Sequence, residues 1–318
     1  MYRIKALSEM VICKNLNTIP HLDKSVLTIG SFDGMHRGHM EIIKNIKLKA
    51  NRNNIPSVVI TFEPHPKSIL QSNVQINWSI LTNTDKKLEL LEQSGIDYVL
   101  LVPFDLEFAK ITAKDFMDSF IMEYFNPEDI VIGYDHHFGN KREGDAEFLK
   151  QQSEKYNFNM HVIEPLTIDD ISVSSTQIRE HIQNCDIKAA NNYLGWEYEI
   201  SGIVVKGRGV GKGLEFPTAN IQPEIQNQLI PGEGAYCVDA VVSNKTYPGM
   251  CNIGNRPTFY DGGENVIEVH LITGDALFLL DEKIKVTFKI FIRKEKKYGN
   301  KTELVRQLEL DRQICLSY

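Results

Sequence analysis

Two histidines in a glycine-rich stretch are the residues of this sequence best suited to chemistry on phosphates. His36 and His39 stand in the segment GSFDGMHRGH, residues 30–39, directly after a short apolar run. A helical pattern of apolar residues, repeating every three to four positions, follows the segment at once. Because a helix N-terminus offers unpaired N–H groups and a partial positive charge, this arrangement predicts a phosphate-binding site. Two solvated loop histidines are the other interpretation of the same pattern.

A strand must precede the two histidines and a helix must follow them if they are to lie at a helix N-terminus. The first half of the sequence has such an alternation of strands and helices. Five strand candidates in the first half are separated by helical stretches, at residues 26–29, 55–62, 96–104, 129–133 and 158–165. Such an order predicts an α/β fold of the Rossmann-like type, with a parallel sheet and helices on both faces. In these sheets ligands bind beyond the carboxyl ends of the strands, which is where the two histidines lie.

The second half has a different pattern of strands and turns. Four β-branched stretches are separated by Gly, Pro and Asn, at residues 198–206, 235–242, 266–272 and 283–292. One helix is expected at 301–314. This pattern predicts a small antiparallel β-barrel with a C-terminal helix. We therefore expect two domains, residues 1–184 and 185–318, joined in the short stretch 184–192.

Composition and charge narrow the class of protein. The 318 residues are 42% hydrophobic and 24% charged, which is typical of a soluble globular protein. No apolar run is long enough for a membrane helix, and the N-terminus has no signal-peptide pattern. The net charge of −7, without a basic face, argues against a nucleic-acid partner. The five scattered cysteines predict reduced thiols in a cytoplasmic protein rather than a disulfide framework or a zinc site.

Two further polar segments follow strand candidates. TFEPHP, at residues 61–66, has Phe62 placed to flank a flat ring, although an ordinary proline-rich loop has the same composition. GYDHHFGNKREG, at residues 133–144, combines the carboxylate of Asp135 with the guanidinium of Arg142. Both segments would lie at the carboxyl edge of the predicted sheet, beside the histidines.

Two more segments contain groups that suit phosphates. SSTQIR, at residues 174–179, begins a helix with hydroxyl groups, and by themselves these indicate only an N-cap. Arg179 lies one turn along the same helix, and together with the two histidines it favours a phosphate contact. The glycine run GRGVGKG, at residues 207–213, contains Lys212 but fits neither the Walker A nor the G-x-G-x-x-G pattern. On its own this run indicates a turn.

Taken together, these motifs resemble a known family. The order GxFDGxHxGH, TFEPHP, GxDxxFGxxRxGD and SSTxIR is similar to the adenylyltransferase module of the bacterial bifunctional riboflavin kinase/FAD synthetases. FPTAN at 216–220, NIGNRPTF at 252–259, EVH at 268–270 and RKEKKY at 293–298 resemble the riboflavin kinase module. The resemblance covers essentially the whole chain. It implies a nucleotidyltransferase domain at 1–184 and a riboflavin kinase barrel at 185–318.

The resemblance implies two ATP-dependent reactions. Riboflavin is phosphorylated to FMN, and FMN is adenylylated to FAD with release of pyrophosphate. ATP, riboflavin and FMN are then the small-molecule substrates, and Mg²⁺ is the cofactor, bound mainly by nucleotide oxygens and water. In the first half the resemblance implies catalytic roles for His36, His39 and Arg179, ATP contacts for Gly30, Phe32, Asp33, Gly38, Ser175 and Thr176, and FMN contacts for Phe62, Asp135 and Arg142.

The kinase module implies a second set of residues. Its reaction removes a proton from the riboflavin 5′-hydroxyl, and Glu268 of the EVH motif is the implied base. Outside such a motif, Glu268 would be read as an outward-facing strand carboxylate. The resemblance implies that Thr218 and Asn220 contact ATP and Mg²⁺, that Lys212 contacts ATP, and that Arg256 and Arg293 contact the flavin.

Three departures from the family pattern keep alternatives open. Glu215 stands where the family usually has Gly, His136 stands where it usually has an aromatic residue, and the segment after EVH lacks the usual Tyr-Gly pair. A carboxylate near ATP phosphates would repel them by several kcal/mol at an effective dielectric of about 20, unless it points away. One alternative is therefore an FAD synthetase whose barrel is only a flavin-binding or regulatory module. A flavin-binding regulator without catalysis is the third hypothesis, which His36, His39 and Arg179 disfavour.

Overall fold

The chain forms two compact units, Met1–Ser174 and Ser175–Tyr318. Each unit has a hydrophobic core of its own. The domain boundary expected between residues 184 and 185 stays a prediction. The computed structural model describes residues 9–14, 19–70, 78–206, 216–255, 265–272 and 279–318.

The first unit is built on a six-stranded parallel sheet. Its strands are β1 (Val11–Cys13), β2 (Ser25–Ile29), β3 (Ser57–Glu63), β4 (Tyr98–Pro103), β5 (Pro127–Gly133) and β6 (Asn159–Ile163). The strand order is β1-β4-β3-β2-β5-β6, and every neighbouring pair is parallel. A separate hairpin of β7 (Thr167–Ile168) and β8 (Ile171–Ser172) follows. The α/β fold predicted for this half is confirmed.

In the described part of this unit, five α-helices accompany the sheet. They are α1 (Arg37–Asn53), α2 (Pro66–Leu70), α3 (Thr84–Gln93), α4 (Ala113–Phe116), which continues as a π-helix over Met117–Phe125, and α5 (Ala146–Tyr156). The starts of α4 and α5 follow capping rules, because the side chains of Thr112 and Asp145 accept backbone N–H groups of the first turn. Gly95, at φ 71°, follows the last turn of α3 in the left-handed conformation that commonly ends a helix.

Neighbouring residues of each strand point to opposite faces of the sheet, and this alternation divides the core in two. Val26 and Val59 pack with Ile43 of α1 on one face. The next residues along these strands, Leu27 and Ile60, point to the other face, which α4, its π-helical continuation and α5 cover. Both faces of the sheet are therefore buried, as expected for parallel strands between helices.

The polar segments singled out in the first half follow three adjacent strands. β2, β3 and β5 end at Ile29, Glu63 and Gly133, and β2 pairs with both of the others. Because the three strands are parallel, the segments that follow them emerge at one edge of the sheet. The fold thus brings the histidines, TFEPHP and GYDHHFGNKREG to the same edge.

The second unit is a closed antiparallel barrel between helices. It begins with α6 (Ser175–Gln183) and α7 (Ile187–Leu194) and ends with α8 (Lys301–Ser317). The strands are β9 (Glu199–Val205), β10 (Ala219–Pro223), β11 (Gly234–Val242), β12 (Lys245–Asn255), β13 (Asn265–Leu271) and β14 (Lys283–Arg293). The barrel order is β10-β13-β12-β11-β14-β9. The predicted barrel with a terminal helix is confirmed. Within the described ranges, the helices lack the length and hydropathy needed to cross a bilayer.

Two details of the second unit differ from the sequence expectation. β10 and β12 were not among the predicted strands, and β12 contains Pro248 and Gly249, residue types that usually mark turns. The stretch expected to join the domains, residues 184–192, overlaps helix α7. The chain is therefore helical where a linker was expected.

Two cysteines of the second unit are joined by a disulfide. Cys237 on β11 and Cys315 on α8 form this bond. The expectation of five reduced thiols is therefore wrong for this pair, while Cys13, Cys185 and Cys251 are free. The two bonded cysteines are 78 residues apart in sequence, so no short spacing pattern indicated the pair. Closure of the barrel and packing of α8 bring them together.

Candidate active sites

A tight loop between β2 and α1 carries both predicted histidines. We call residues 30–39 the histidine loop. His36 is the N-cap of α1, because its Nδ1 accepts the backbone N–H of His39 at 3.3 Å. Since Nδ1 is an acceptor, the proton of the neutral His36 ring lies on Nε2. His36 therefore caps the helix through Nδ1 and carries its N–H group on Nε2.

The two histidine rings lie face to face. Their centroids are 3.6 Å apart at an interplanar angle of 16°, and His36 is only 6% exposed. The ring of Phe32 meets His39 edge-on at a centroid distance of 5.3 Å. Burial, followed by the electrostatic effects of His36 and of the Lys87 ammonium, holds the pKa of His39 well below its usual range. His39 is therefore neutral at pH 7, and a bound polyanion would favour its protonation.

The backbone of the histidine loop is tightly turned. Phe32 and Met35 have φ values of 48° and 38°, in the left-handed region that non-glycine residues seldom adopt. A Cβ atom on Gly30 would lie 3.1 Å from the Phe32 ring, and one on Gly38 would lie 3.2 Å from the His36 ring. The two glycines thus allow the aromatic rings to pack directly against the loop.

Polar contacts fix the loop to neighbouring elements. The carboxylate of Asp33 is 4% exposed and accepts the backbone N–H groups of Leu81 at 2.9 Å and Thr82 at 3.2 Å. The Nζ atom of Lys87, on α3, donates to the Ser31 carbonyl oxygen at 2.8 Å. Asp33 and Lys87 therefore both shape the loop from the side of α3.

Phe62 belongs to a group of aromatic rings near the end of β3. Its ring centroid lies 5.7 Å from that of Phe104 and 6.2 Å from that of Phe108. Phe108 packs on Phe116, and Phe116 packs on Phe138 of the GYDHHFGNKREG segment. The structure therefore connects the two segments for which FMN contacts were predicted through a continuous set of aromatic contacts.

Ser175, Thr176 and Arg179 lie on α6, in the second unit. Arg179 Nη1 donates to the backbone carbonyl of Ser175 at 3.0 Å. Ile178 and Ile182 are fully buried, whereas Thr176 is exposed. The polar side chains therefore lie on other faces of α6 than the two buried isoleucines.

Three barrel strands place polar residues side by side. Asn220 on β10 pairs with Glu268 on β13, and Glu268 pairs with Asn252 on β12. Residues opposite each other in antiparallel strands share a face, with Cβ atoms about 4.5–5.5 Å apart. We call Asn220, Glu268 and Asn252 the polar row. The next pair, Ile221 and Ile267, is buried and points to the other face of the barrel wall.

The FPTAN segment before β10 is held against β13. His270 Nδ1 lies 2.9 Å from the carbonyl oxygen of Pro217, and because a carbonyl only accepts, Nδ1 is the donor. The ring of buried Phe216 packs on the His270 ring at a centroid distance of 5.1 Å. Thr218 follows, exposed, two residues before Asn220 in the polar row. The segment is therefore fixed at the point where it enters β10.

Comparison with known proteins identifies both units. Residues 18–177 match the FAD synthetase family, and residues 194–318 match the riboflavin kinase family. The chain is 34% identical to the bifunctional riboflavin kinase/FMN adenylyltransferase of Escherichia coli K12, over 93% of each chain. It is 33% identical to the Bacillus subtilis enzyme of the same name, over 93% of this chain and 92% of that one. The chain belongs to the bifunctional riboflavin kinase/FMN adenylyltransferase family.

A solved structure shares the whole architecture. The crystal structure of a macrolide-efflux protein from Streptococcus pneumoniae has a TM-score of 0.86 to this chain at 28% identity. The alignment covers 98% of this chain and all of that one. The arrangement of an α/β unit followed by a closed barrel therefore also occurs in a crystal structure.

The two matches make this chain a bifunctional enzyme that uses ATP, riboflavin and FMN as substrates. The kinase match spans the barrel and α8, so the kinase module is present. Neither a degenerate barrel nor a regulator without catalysis is supported. Glu215, which suggested the former, lies outside the described residues, as do Lys212 and Arg256.

Three residues for which flavin contacts were predicted, Arg293, Asp135 and Arg142, lie within the described residues of this bifunctional enzyme. The Arg293 guanidinium is bound to Asp311 on α8, with Nη2 to Oδ2 at 2.7 Å and Nε to Oδ2 at 3.0 Å. The side chain of Asp311 is 2% exposed, and Gln307 donates to the same carboxylate. Asp135 and Arg142 are exposed. The flavin contacts assigned to Arg293, Asp135 and Arg142 stay predictions.

Two polar residues near these sites were not singled out from the sequence. Lys87 lies one helical turn before buried Leu91, so a lysine on the apolar face of α3 was the available sign. Asn252 alternates with buried Cys251 and Ile253 along β12. That alternation was hidden because β12 was not predicted.

Proposed function

We propose that adenylyl transfer takes place at the histidine loop and that riboflavin phosphorylation takes place at the polar row. In the first reaction a phosphate oxygen of FMN attacks the α-phosphorus of ATP, and the bond from this phosphorus to pyrophosphate breaks. No group is transferred to the protein. The protein therefore has to hold two polyanions in line and to stabilise the charge on the transferred group.

The histidine loop supplies donors for those phosphates. The Nε2–H of His36 and the ring of His39 contact phosphate oxygens of ATP, next to the N–H groups of the first turn of α1. Gly30, Phe32, Asp33 and Gly38 give the loop its shape. The family resemblance assigns phosphate contacts to Ser175, Thr176 and Arg179 as well.

The aromatic group around Phe62 suits a flat flavin ring. Aromatic side chains bind such rings by stacked or edge-on contacts. Asp135 and Arg142 border the same segment as Phe138 and would contact the polar parts of FMN. We therefore place FMN at the carboxyl edge of the sheet, with its phosphate toward the histidine loop.

The polar row carries the kinase reaction. The riboflavin 5′-hydroxyl attacks the γ-phosphorus of ATP, its proton passes to the Glu268 carboxylate, and ADP leaves. Thr218 and Asn220 offer a hydroxyl and an amide oxygen, which are hard donors of the kind that Mg²⁺ accepts together with water and phosphate oxygens. When bound, Mg²⁺ neutralises charge on the nucleotide. Lys212 and Arg256 belong to this proposal by resemblance.

The observation that carries the proposal is the stacked pair of histidines at the N-terminus of α1. We expect His36→Ala and His39→Ala each to lower FAD formation from FMN by about 100-fold, because each removes a donor to the transferred phosphate. FMN formation from riboflavin should stay within twofold of the wild type. Glu268→Ala should do the reverse. Chromatography of the flavin products, with MgATP and either riboflavin or FMN, measures both reactions for each variant.

Circular dichroism of the same samples provides the folding control. If a single change at one site abolished both reactions in a folded protein, the division into two sites would be wrong.

We also propose that the protein acts in the cytoplasm, where ATP is made, and that it has no nucleic-acid partner. We propose further that the functional boundary between the two domains lies between residues 184 and 185.

A further inference from the structure

Lys87 is a buried lysine next to the histidine loop. It lies on α3 and is 3% exposed, whereas lysines are almost never fully buried unless they are paired. Its Nζ atom donates to the Ser31 carbonyl oxygen at 2.8 Å and lies 3.3 Å from the Thr61 hydroxyl oxygen. Ser31 is in the histidine loop and Thr61 is in β3, so one ammonium group connects α3, β3 and the loop.

The electrostatic surroundings of Lys87 are mixed. Burial lowers its pKa, and the carboxylates of Asp33 and Glu63 oppose that effect. On the loop side, the charge of Lys87 and the electrostatic effect of His36 add to the effect of burial in lowering the pKa of His39. A positive charge in this place attracts anions and is cut off from solvent.

The contact with Ser31 fixes the direction of a peptide group. Because a trans peptide is planar, its carbonyl and N–H point in opposite directions. With the Ser31 carbonyl turned toward Lys87, the N–H of Phe32 points away from the ammonium. Phe32 itself has the unfavourable φ of 48°, a conformation that persists only where neighbouring groups hold it.

We propose that Lys87 is a positioning residue for adenylyl transfer: its ammonium keeps the Ser31 carbonyl oxygen turned away from the bound phosphates and holds the loop that carries His36 and His39. This inference rests on the proposed role of the histidine loop. The side chain is too deeply buried to contact a ligand itself, so it acts through the loop. A carbonyl oxygen turned toward the ATP phosphates would repel them, and the ammonium prevents this.

The test compares Lys87→Met with a charge-removing control on the same unit. Lys44→Met is that control, because Lys44 lies on α1, is 63% exposed and pairs only at 3.4 Å with Glu41. We expect Lys87→Met to lower kcat for FAD formation by about 100-fold, because a misplaced loop no longer holds the reactants in line. The KM for FMN should change less than threefold. Lys44→Met should stay within twofold of the wild type.

A spectroscopic measurement separates positioning from a general structural role. The NMR titration of the His39 ring should show a higher pKa in Lys87→Met, because a neighbouring positive charge is gone, and an unchanged pKa in Lys87→Arg. The other charged groups that face this pair, His36, Asp33 and Glu63, are present in both variants. An unchanged His39 pKa in folded Lys87→Met would overturn the inference.

Thr61→Val keeps the test decisive if Lys87→Met does not fold. This change removes the hydroxyl that contacts both the ammonium and the Ser31 carbonyl oxygen, each at 3.3 Å, and leaves the charge of Lys87 in place. FAD formation should therefore fall about fivefold to 30-fold in a folded protein. If Thr61→Val were fully active and Lys87→Met did not fold, Lys87 would have only a structural role, and the inference would be wrong. Full activity of Lys87→Met would also overturn the inference.

The histidine variants separate this inference from the proposed function. If His36→Ala and His39→Ala lose FAD formation while Lys87→Met retains it, only the role of Lys87 fails. If the histidine variants retain FAD formation, the proposed site itself fails.

Discussion

His39 and His136 are two histidines of the first unit whose charged form is disfavoured by folding. Burial, together with the charge of His137, lowers the pKa of His136 to about 4. An exposed histidine of the unfolded chain titrates at about 6.5. Between these values the unfolded chain binds protons that the folded unit does not. The stabilisation is therefore complete above pH 6.5 and is lost as the pH falls toward the folded-state pKa.

His136→Phe should make the first unit less sensitive to acid. Between pH 6.5 and 4 we expect the wild type to lose about 1–3 kcal/mol more stability than the variant, since Phe has no proton to bind. Urea unfolding can be followed by the fluorescence of Trp78, with Trp196→Phe as the common background, because these are the two tryptophans of the chain. Equal pH dependence in both proteins would contradict the prediction.

At the scale of elements, α8 is attached to the barrel by an ion pair and by apolar packing. Asp311 receives Arg293 from the end of β14 and Gln307 from its own helix. Beside this pair, Phe216, Met250 and the disulfide between Cys237 and Cys315 form one apolar cluster. Since Phe216 begins the FPTAN segment, the same cluster supports the approach to the kinase site.

Asp311→Ala should strongly destabilise the second unit. The change leaves the Arg293 guanidinium without its carboxylate in a largely buried place, which costs about 3–5 kcal/mol. Glu309→Ala is the matched control on α8, because Glu309 is 48% exposed and its distance to Arg312 is 3.7 Å. It should change stability by less than about 0.5 kcal/mol. Calorimetry of both variants measures the difference in stability. The transition of the second unit is identified as the one at which FMN formation is lost on heating. Similar losses in the two variants would contradict a structural role for Asp311.

Elements with regular patterns could be predicted from the sequence, and those that depend on distant partners could not. α1 was predicted because its apolar residues follow one helical period, and β3 was predicted because its apolar run is short and continuous. β12 was missed because Pro248 and Gly249 interrupt it, and only pairing with β11 and β13 makes it a strand. The histidines were found because their motif is local. Lys87 was missed because its partners come from β3 and the histidine loop.

At the scale of the whole molecule, α6 belongs by its contacts to the unit that contains the barrel. Ile178 and Ile182 are fully buried, and the carbonyl of Ile182 accepts the N–H of Gly232 at 3.1 Å. The hydroxyl of Tyr236 donates to the Gly232 carbonyl, which continues the link into β11. A boundary between 184 and 185, which was expected from the change in the pattern of strands and helices, separates α6 from these partners.

Two fragments of the chain test where the second unit begins. Residues 175–318 should unfold about 10 °C or more above residues 185–318, because the shorter fragment loses the two buried isoleucines and leaves the N–H of Gly232 unpaired. Thermal unfolding by circular dichroism, with FMN formation as the check of a native barrel, compares the two. Equal midpoints would place the structural boundary at 184 and 185.

The capping bond of His36 has a genetic consequence. A change in the first base of a histidine codon produces asparagine, aspartate or tyrosine, and the first two are good helix N-caps. The aspartate mutant keeps an acceptor for the His39 N–H, so α1 still begins where it does now. Its carboxylate has no N–H donor, however, and would repel a phosphate. A single base change at this codon therefore yields a normally folded enzyme that accumulates FMN without converting it to FAD.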